Sequence, residues 1–290
     1  MIFSVIVAFL NEARYIKQCI DSLRNQDFDK NEYELIFVDN GSTDSSREIV
    51  QEFSGINLLQ EKKRSAFAAR NRGLQIARGE IIAFTDADCI VSRDWLSQIY
   101  NGMNSSGAKV VLGKCSFPRN SSYLVRMFGD YQNAKSEYVL GNCSPKYFFG
   151  FTNNMAVRNE IFKGLGLFLE WEVGGDTEFI QRYISSYRNP RIVYLEGMEI
   201  THLEIANIRM WLRKIHIYGK YNRQLEKISN YRRLEYSTNW RIYMFCSKKN
   251  GYGFWKRVVF VFLLALGNLA YETGRIRGYF RHSPKLFGKA

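Results

Sequence analysis

Proline and cysteine are scarce in this chain of 290 residues, and each scarcity excludes a class of protein. With four prolines and no low-complexity tract, the chain is neither fibrous nor rich in linkers. The cysteines are odd in number and form no CxxC pair: Cys19, Cys89, Cys115, Cys143 and Cys246. This pattern disfavours a disulfide framework or a zinc knuckle and favours a reducing compartment. The first residues lack a basic segment and a cleavage site, so we expect no signal peptide.

Long apolar runs are also few, and the most apolar one lies near the C-terminus. Val258 to Leu266 is an uninterrupted run of 9 apolar residues, and extension to Tyr271 gives a stretch of 14. A membrane-spanning helix needs about 20 apolar residues, so this stretch is short for a span. Its aromatic and basic flanks favour a helix over 254–271 that lies in the interface of an anionic membrane. A buried core helix with a solvated basic tail, or a true span, are the alternatives.

The excess of positive over negative charge lies in the same third of the chain, and the net charge of the whole chain is +13. Residues 209–290 hold 18 Lys and Arg against 3 Asp and Glu, whereas residues 1–208 have a balance of −2. A basic excess often indicates nucleic-acid binding. Because this excess adjoins an apolar segment rather than a recognised motif, we expect no nucleic-acid partner. We expect instead a peripheral location at the cytoplasmic face of the cell membrane.

The remaining composition, 46% hydrophobic and 24% charged, is that of a folded chain with a large core. Short β-branched runs alternate with apolar residues at helical spacing from residue 3 to about 105. We predict strands at 3–8, 35–38, 56–59 and 80–85, and helices at 12–25, 44–53 and 66–78. Such alternation predicts a parallel sheet with helices on both faces.

After about residue 110 the alternation gives way to a less regular pattern. We predict strands at 110–112 and 191–195, an extended segment at 148–157, and helices at 121–138, from near 176, and at 206–225. Residues 228–252 have no assignable pattern. No linker separates an independent second domain.

Three clusters of polar residues fall at the carboxyl ends of predicted strands, where open parallel sheets bind ligands. Asn11 and Glu12 follow the first strand, Asp39 follows the second, and Asp86 and Asp88 end the fourth. Two carboxylates two residues apart lie on the same side of an extended backbone. Such a pair can hold one hard divalent cation, Mg²⁺ or Mn²⁺, that keeps open positions for phosphate oxygens. A turn or cap role is the alternative for Asp39.

A cationic side chain, Arg70, lies in the predicted helix before the fourth strand. Its guanidinium could reach a phosphate or a carboxylate at the same edge of the sheet. A solvated surface arginine is the alternative.

Four segments resemble, in order and spacing, the family 2 glycosyltransferases: Ser4 to Glu12, Val38 to Asp44, Ala69 to Gly73, and Asp86-Ala87-Asp88. Later blocks from Phe151 to Arg158 and from Gly174 to Phe179 resemble the acceptor-side half of that family. The resemblance implies an α/β fold of GT-A type, with a Rossmann-like, mostly parallel sheet flanked by helices. It implies a catalytic domain at 1–205, with a nucleotide-sugar-binding half at about 1–110 and an acceptor half at 111–205. A basic, helical, membrane-associating extension would then occupy 206–290.

The resemblance also implies roles for residues on the donor side. The implied nucleotide-sugar-binding set is Ala8, Phe9, Glu12, Asp39, Arg70, Asp86 and Ala87. Within it, Asp39 would contact the nucleobase, and Asp86 would lie near the ribose and the metal. Asp88 would bind the metal, Mg²⁺ or Mn²⁺. His202 would complete the metal shell or, as the alternative, be a structural residue.

On the acceptor side, the resemblance implies that Asp176 is the general base. An inverting transfer needs one carboxylate to take the proton of the acceptor hydroxyl. Glu172 and Glu178 are the alternatives for this role. The chain departs from the family at Gly175, where a glutamate commonly precedes the catalytic aspartate.

The implied function is the inverting transfer of a sugar from a nucleotide-diphosphate donor to a lipid-linked or polysaccharide acceptor in bacterial surface glycan synthesis. The family makes UDP the default nucleotide of the donor, and GDP and dTDP are the alternatives. One alternative is a nucleotidyltransferase, which usually needs a glycine-rich loop after the first strand, where this chain has Phe9 to Ala13. A non-catalytic nucleotide-sugar-binding protein is the other. The sequence gives no expectation for the oligomeric state.

Overall fold

A single eight-stranded sheet organises the computed structural model, which describes residues 1–205 and 207–280. The strands are β1 (Phe3–Phe9), β2 (Tyr33–Asp39), β3 (Ile56–Gln60), β4 (Ile81–Asp86), β5 (Cys89–Val91), β6 (Val110–Ser116), β7 (Asn154–Arg158) and β8 (Ile192–His202). Their spatial order is β3-β2-β1-β4-β7-β6-β8-β5. The first four positions are parallel, and β7 runs antiparallel to both of its neighbours. The predicted α/β fold with a mostly parallel sheet is therefore confirmed.

Ten α-helices accompany the sheet in the described residues. They are α1 (Ile16–Arg24), α2 (Ser46–Gln51), α3 (Ala66–Leu74), α4 (Trp95–Ser106), α5 (Tyr123–Asn142), α6 (Asn159–Leu165), α7 (Gly175–Ser186), α8 (Ile208–Ile228), α9 (Tyr236–Lys249) and α10 (Phe254–Phe280). Most predicted elements are present, with shifted ends. The extended segment expected at 148–157 forms a strand only from Asn154, and β8 runs on to His202 rather than ending at 195.

Helices cover both faces of the sheet, because alternate side chains of each strand enter different cores. Val5 and Val7 of β1 point into a cluster with residues of α1 and α4. Ile6, between them, points into a second cluster with residues of α3, α6 and α7. All of these strand residues are fully buried. The two-sided burial explains the near-continuous apolar runs of β1, β2 and β4.

The C-terminal helices form a third cluster with α5. Phe260 and Leu263 of α10 are buried there, in contact with a cluster that includes Tyr243 and Tyr252. A helix in the membrane interface was predicted over 254–271, but these two residues do not face outward, because α10 has two apolar faces and one of them closes this core. Its other face leaves large apolar side chains exposed: Phe262, Leu266, Leu269 and Ile276.

The helix α10 is also longer than its apolar run suggested. Residues Phe254–Gly278 are long and apolar enough to cross a membrane, by length and composition alone. Polar and charged residues follow Tyr271 without ending the helix, which explains why the apolar stretch underestimated its length.

Candidate active site

The carboxyl ends of β1, β2 and β4 meet at one edge of the sheet, as predicted. Ala8 is level with Asp86 across β1 and β4, and Phe9 is level with Asp39 across β1 and β2. Parallel register thus brings two of the expected acidic residues to the same edge, on either side of β1. The Ala8 side chain is half-buried, whereas those of Phe9 and Ala87 are buried in the core.

Asp39 is buried and held by its own turn. Its Oδ1 accepts the backbone N–H of Ser42 at 2.8 Å, and its Oδ2 lies 3.5 Å from Nη1 of Arg47. The backbone N–H of Glu12 donates to Oγ of Ser46 at 2.7 Å, which ties the loop after β1 to the start of α2. Both loops after β1 and β2 are therefore fixed against each other beside the edge.

Arg70 projects from α3 into the site and is buried. Its Nη2 donates to Oδ1 of Asp86 at 2.6 Å. The sequence left two partners open for Arg70 in the site, a phosphate or a carboxylate. In the structure the guanidinium contacts a carboxylate. Asp86 is thereby paired with a guanidinium and is not part of the cluster that contains Asp88.

That cluster consists of Asp88, Cys89 and His202, whose ligand atoms lie within 4.8 Å of one another. Oδ2 of Asp88 lies 3.3 Å from Nδ1 of His202, and this buried nitrogen has no hydrogen-bond partner of good geometry. Backbone pairing fixes the arrangement, because Cys89 of β5 is level with His202 of β8.

The donor atoms of this cluster fit a divalent cation bound by Asp88 and His202. Carboxylate oxygen and imidazole nitrogen suit Mn²⁺, and the carboxylate also suits Mg²⁺. Cys89 is the least suitable of the three ligands, because its sulfur is soft whereas Mg²⁺ and Mn²⁺ prefer oxygen ligands. The pair Asp88 and His202 would hold the cation, and the orphaned Nδ1 of His202 is the observation that supports this.

Lys214 is a site residue that sequence reasoning missed. It lies on α8, and its Nζ is 3.2 Å from Nε2 of His202. The nearby phenol of Tyr218 and the acidic groups Asp88, Asp86 and Glu204 raise the pKa of Lys214 against the opposing effect of burial. Nothing in the sequence distinguishes Lys214 from the many other basic residues of the C-terminal third. Its role in the site could therefore not be predicted from the sequence.

The acidic groups at this edge hold protons more tightly than free carboxyls. Burial, assisted by Asp88 and other acids, raises the pKa of Glu12 to about 8. Burial and the charge of Asp86 raise the pKa of Asp88 to about 7, against the lowering effect of Lys214. Carboxyls whose charged forms are disfavoured in this way gain from a bound cation.

Asp176 lies in the first turn of α7, where helix N-termini stabilise negative charge. Its Oδ1 accepts the N–H of Thr177 at 2.8 Å, and its Oδ2 accepts the N–H of Thr152 at 3.3 Å. Burial nevertheless raises the pKa of Asp176 to about 6, with Arg70 opposing and Asp86 assisting the shift. These electrostatic effects connect Asp176 with the edge that carries Asp86 and Arg70.

The two alternative bases are differently placed. Both carboxylate oxygens of Glu178 accept hydrogen bonds from Arg182, at 3.1 and 3.0 Å, and Glu172 is exposed. The position before Asp176 is sterically restricted to glycine. A Cβ at Gly175 would lie 2.7 Å from the carbonyl oxygen of Leu169 and 3.0 Å from the ring of Phe67. The glutamate that is common in the family would not fit this backbone.

With this geometry established, comparison with known proteins identifies the family. The model for "Glycosyl transferase family 2" matches residues 4–166. The chain belongs to this family of glycosyltransferases. The matched segment contains Asp39, Arg70, Asp86 and Asp88 and ends before Asp176.

Two curated relatives match longer segments of the chain. Glycosyltransferase AglE of Haloferax volcanii is 29% identical over 186 residues, which are 62% of this chain and 60% of that protein. Putative glycosyltransferase EpsH of Bacillus subtilis is 27% identical over 194 residues, which are 64% of this chain and 54% of that protein. The chain thus matches little more than half the length of either relative.

Solved structures show the same fold. S. aureus TarS 1–349 in complex with UDP-GlcNAc has a TM-score of 0.60 and 22% identity, covering 87% of this chain and 74% of that one. Mannosyltransferase PcManGT from Pyrobaculum calidifontis, in complex with GDP-Man and Mn²⁺, has a TM-score of 0.60 and 18% identity, covering 92% and 73%. The fold is therefore of GT-A type.

Proposed function

We propose that the protein is an inverting glycosyltransferase that moves a sugar from a nucleotide-diphosphate donor to a lipid-linked or polysaccharide acceptor in surface glycan synthesis. The observation that carries the proposal is the convergence of Asp39, the Asp86–Arg70 pair and the Asp88–His202 pair on one edge, with Asp176 electrostatically coupled to it. UDP is the first donor carrier to test, since TarS is described with UDP-GlcNAc; GDP follows from PcManGT.

On the donor side, we propose that Asp39 binds the nucleobase, as its buried position at the end of β2 allows. Asp86 and Arg70 would lie beside the ribose and the diphosphate, where the guanidinium can turn from a carboxylate to a phosphate. The cation held by Asp88 and His202 would neutralise charge on the leaving diphosphate. Lys214 adds a second positive charge next to His202 and would oppose the same negative charge.

On the acceptor side, we propose that Asp176 is the general base. The acceptor hydroxyl oxygen forms a bond to the anomeric carbon while the bond from that carbon to the diphosphate oxygen breaks. The hydroxyl proton passes to a carboxylate oxygen of Asp176, and the electron pair of the broken bond leaves with the diphosphate. A single in-line displacement of this kind inverts the anomeric configuration. A pKa of about 6 keeps Asp176 ionised at neutral pH yet more basic than a free aspartate.

We further propose that the protein works at the cytoplasmic face of the membrane as a peripheral protein. Support comes from the outer face of α10, where Phe262 and Leu269 are 65% and 62% exposed. Trp255, at 77% exposure, lies at the start of the same helix beside Lys256 and Arg257. Exposed aromatic and apolar groups with basic neighbours suit an anionic interface.

The decisive test is a donor screen with purified protein and Mn²⁺ or Mg²⁺, in which mass spectrometry follows UDP-, GDP- and dTDP-sugars. We expect one donor class to be consumed, slowly by water and faster with an acceptor. Asp176→Asn should still bind that donor but lose transfer, whereas the exposed Glu172→Gln serves as the matched control and should retain it. If the wild-type protein turned over no sugar nucleotide with either cation, the proposed function would be wrong.

A further inference from the structure

A groove of about 560 Å³ lies between α8 and α10, outside the site described above. It is lined by Arg213 and His216 of α8 and by Thr273, Ile276 and Arg277 of α10. Two guanidinium groups, an imidazole and a hydroxyl therefore face one space, with Nδ1 of His216 at 3.1 Å from Oγ1 of Thr273. The lining has hydrogen-bond donors and positive charge but no carboxylate.

The positive charge of the groove is not neutralised by neighbouring acids. Glu226 of α8 pairs with Arg275 at 3.1 Å, and Glu272 of α10 pairs with Arg233 at 2.8 Å. In the part of the chain that the structure describes, neither Arg213 nor Arg277 forms an ion pair. The groove thus presents two guanidinium groups to solvent, and an anion with several oxygens is the ligand that suits them.

The walls of the groove are held rigidly because α8 and α10 touch through glycines. A Cβ at Gly274 would lie 2.0 Å from the carbonyl oxygen of His216, and one at Gly219 would lie 2.0 Å from that of Tyr271. Such contacts bring two helix backbones closer than larger side chains permit. A preformed groove loses less entropy when it binds a ligand.

An apolar stripe runs along α10 and leads into the groove. Phe262, Leu266, Leu269, Thr273 and Ile276 follow one another at intervals of three or four residues, so they share one helix face. The apolar members are 51% to 65% exposed. From the first residue to Thr273 the stripe is about 16 Å long at the usual rise of an α-helix. A ligand that suits stripe and groove together has a hydrocarbon chain and an anionic end.

The groove and the candidate active site both receive side chains from α8. Arg213 lines the groove, and the next residue, Lys214, reaches His202. A single turn of α8 therefore contributes one basic side chain to the groove and one to the candidate active site.

We propose that this groove binds the diphosphate that links a lipid to its glycan, with the hydrocarbon chain lying along the apolar stripe of α10. The proposal rests on the proposed function and narrows its acceptor to a glycan linked to a lipid through diphosphate. A phosphate monoester or diphosphate has oxygens for both guanidinium groups at once. The phosphodiester of a bulk phospholipid carries one charge fewer than a monoester near neutral pH and fits the pair less well.

The test compares vesicles of phosphatidylcholine with 5 mol% polyprenyl phosphate and vesicles with 10 mol% phosphatidylglycerol, which have about equal charge. We expect the full-length protein to bind the first at least tenfold more tightly by flotation or surface plasmon resonance. The double variant Arg213→Gln, Arg277→Gln should lose that preference. The control, Arg241→Gln with Lys248→Gln, removes the same charge from exposed positions of α9 and should keep it.

Three outcomes would overturn the proposal: equal binding of the two vesicles, an equal loss of preference in the control variant, or full replacement of the polyprenyl phosphate by inorganic phosphate as a competitor. Hydrolysis of the nucleotide sugar, measured without acceptor, shows whether the groove assignment or the proposed enzymatic function has failed. The groove variant should hydrolyse the donor at the wild-type rate. If neither the wild type nor any variant hydrolyses the donor, the proposed enzymatic function is wrong. If the donor is hydrolysed but the protein does not distinguish the two vesicles, only the groove assignment is wrong.

Discussion

Nε2 of His202 accepts a hydrogen bond from the Lys214 ammonium at 3.2 Å, since an ammonium group can only donate. The proton of the neutral ring is therefore on Nδ1, which faces Oδ2 of Asp88 at 3.3 Å. Burial, with the charge of Lys214, lowers the pKa of His202 well below its usual value, so the ring stays neutral. Binding of a cation at Nδ1 requires that proton to leave, or the ring to turn and give up Lys214.

Lys214→Gln should lower kcat/KM for the donor by about 10- to 150-fold. The reason is that removal of one charge-assisted contact to a phosphate or its ligands costs roughly 1.5–3 kcal/mol. Lys214→Arg keeps the charge and should recover part of the loss, whereas Lys227→Gln, exposed near the end of the same helix, should change nothing. Steady-state kinetics with varied donor decide the point. Wild-type kinetics for Lys214→Gln would remove this residue from the site.

Mn²⁺ should stabilise the protein more at pH 8 than at pH 6. The pKa values of Glu12 and Asp88 are raised to about 8 and 7, so the folded protein holds protons that the unfolded chain has released. This contribution to stability is complete below the unfolded values near 4 and is lost as pH rises through 7 to 8. At pH 8 the cation meets ionised ligands and replaces the lost protons, whereas at pH 6 it competes with them.

Thermal unfolding with and without Mn²⁺ at both pH values measures this effect. Asp88→Asn should abolish the increase in Tm produced by Mn²⁺, and Asp21→Asn, an exposed acid of α1, should leave it intact. EDTA should remove transfer activity reversibly. Full activity in EDTA would assign neutralisation of the leaving group to Arg70 and Lys214 alone.

The kcat of transfer should rise with pH and reach half of its plateau near pH 6. Asp176 must be ionised to accept a proton, and its pKa of about 6 lies above that of a free aspartate. Asp176→Asn should reduce kcat by about 10²–10⁴-fold and remove this inflection, with donor affinity nearly unchanged. A pH–rate profile of both proteins tests the assignment, and a loss below about tenfold would transfer the role to Glu172 or Glu178.

The two faces of α10 should respond differently to substitution. Phe260→Ala should lower the free energy of unfolding by about 3–5 kcal/mol, because Phe260 is fully buried in the third core. Phe262→Glu, on the exposed face, should leave Tm nearly unchanged and reduce flotation with anionic vesicles. Chemical denaturation and flotation of both variants give the comparison. Equal flotation of Phe262→Glu and the wild type would exclude the exposed face as a membrane contact.

The sequence predicted the donor half of the fold well because its signals are local. The strands β1, β2 and β4 are buried on both faces and read as continuous apolar runs, and each ends in polar residues that mark the site. Asn11 shows the limit of such signals. A helix was predicted to begin at residue 12, but Asn11 adopts φ 59° and its Oδ1 accepts the N–H of Thr43 at 2.8 Å, and α1 begins only at Ile16.

The remaining features depend on contacts between distant segments, which periodicity does not encode. Lys214 enters the site only because α8 passes the point where β8 ends and β5 begins, and no local pattern distinguishes it. The burial of Phe260 depends on α5 and α9, and α9 lies in the segment 228–252 that had no assignable pattern. The roles of the individual site residues in catalysis stay predictions.

The pairing of Cys89 with His202 also has a consequence for biosynthesis. β5 is a strand of three residues at the end of the sheet, and its ladder partner is β8, which among the described strands is the last to leave the ribosome. During synthesis, Asp88 therefore has no imidazole partner until β8, which carries His202, has been translated. A nascent chain that stopped before β8 would carry the complete donor-side motifs, and yet it would lack half of the proposed cation site.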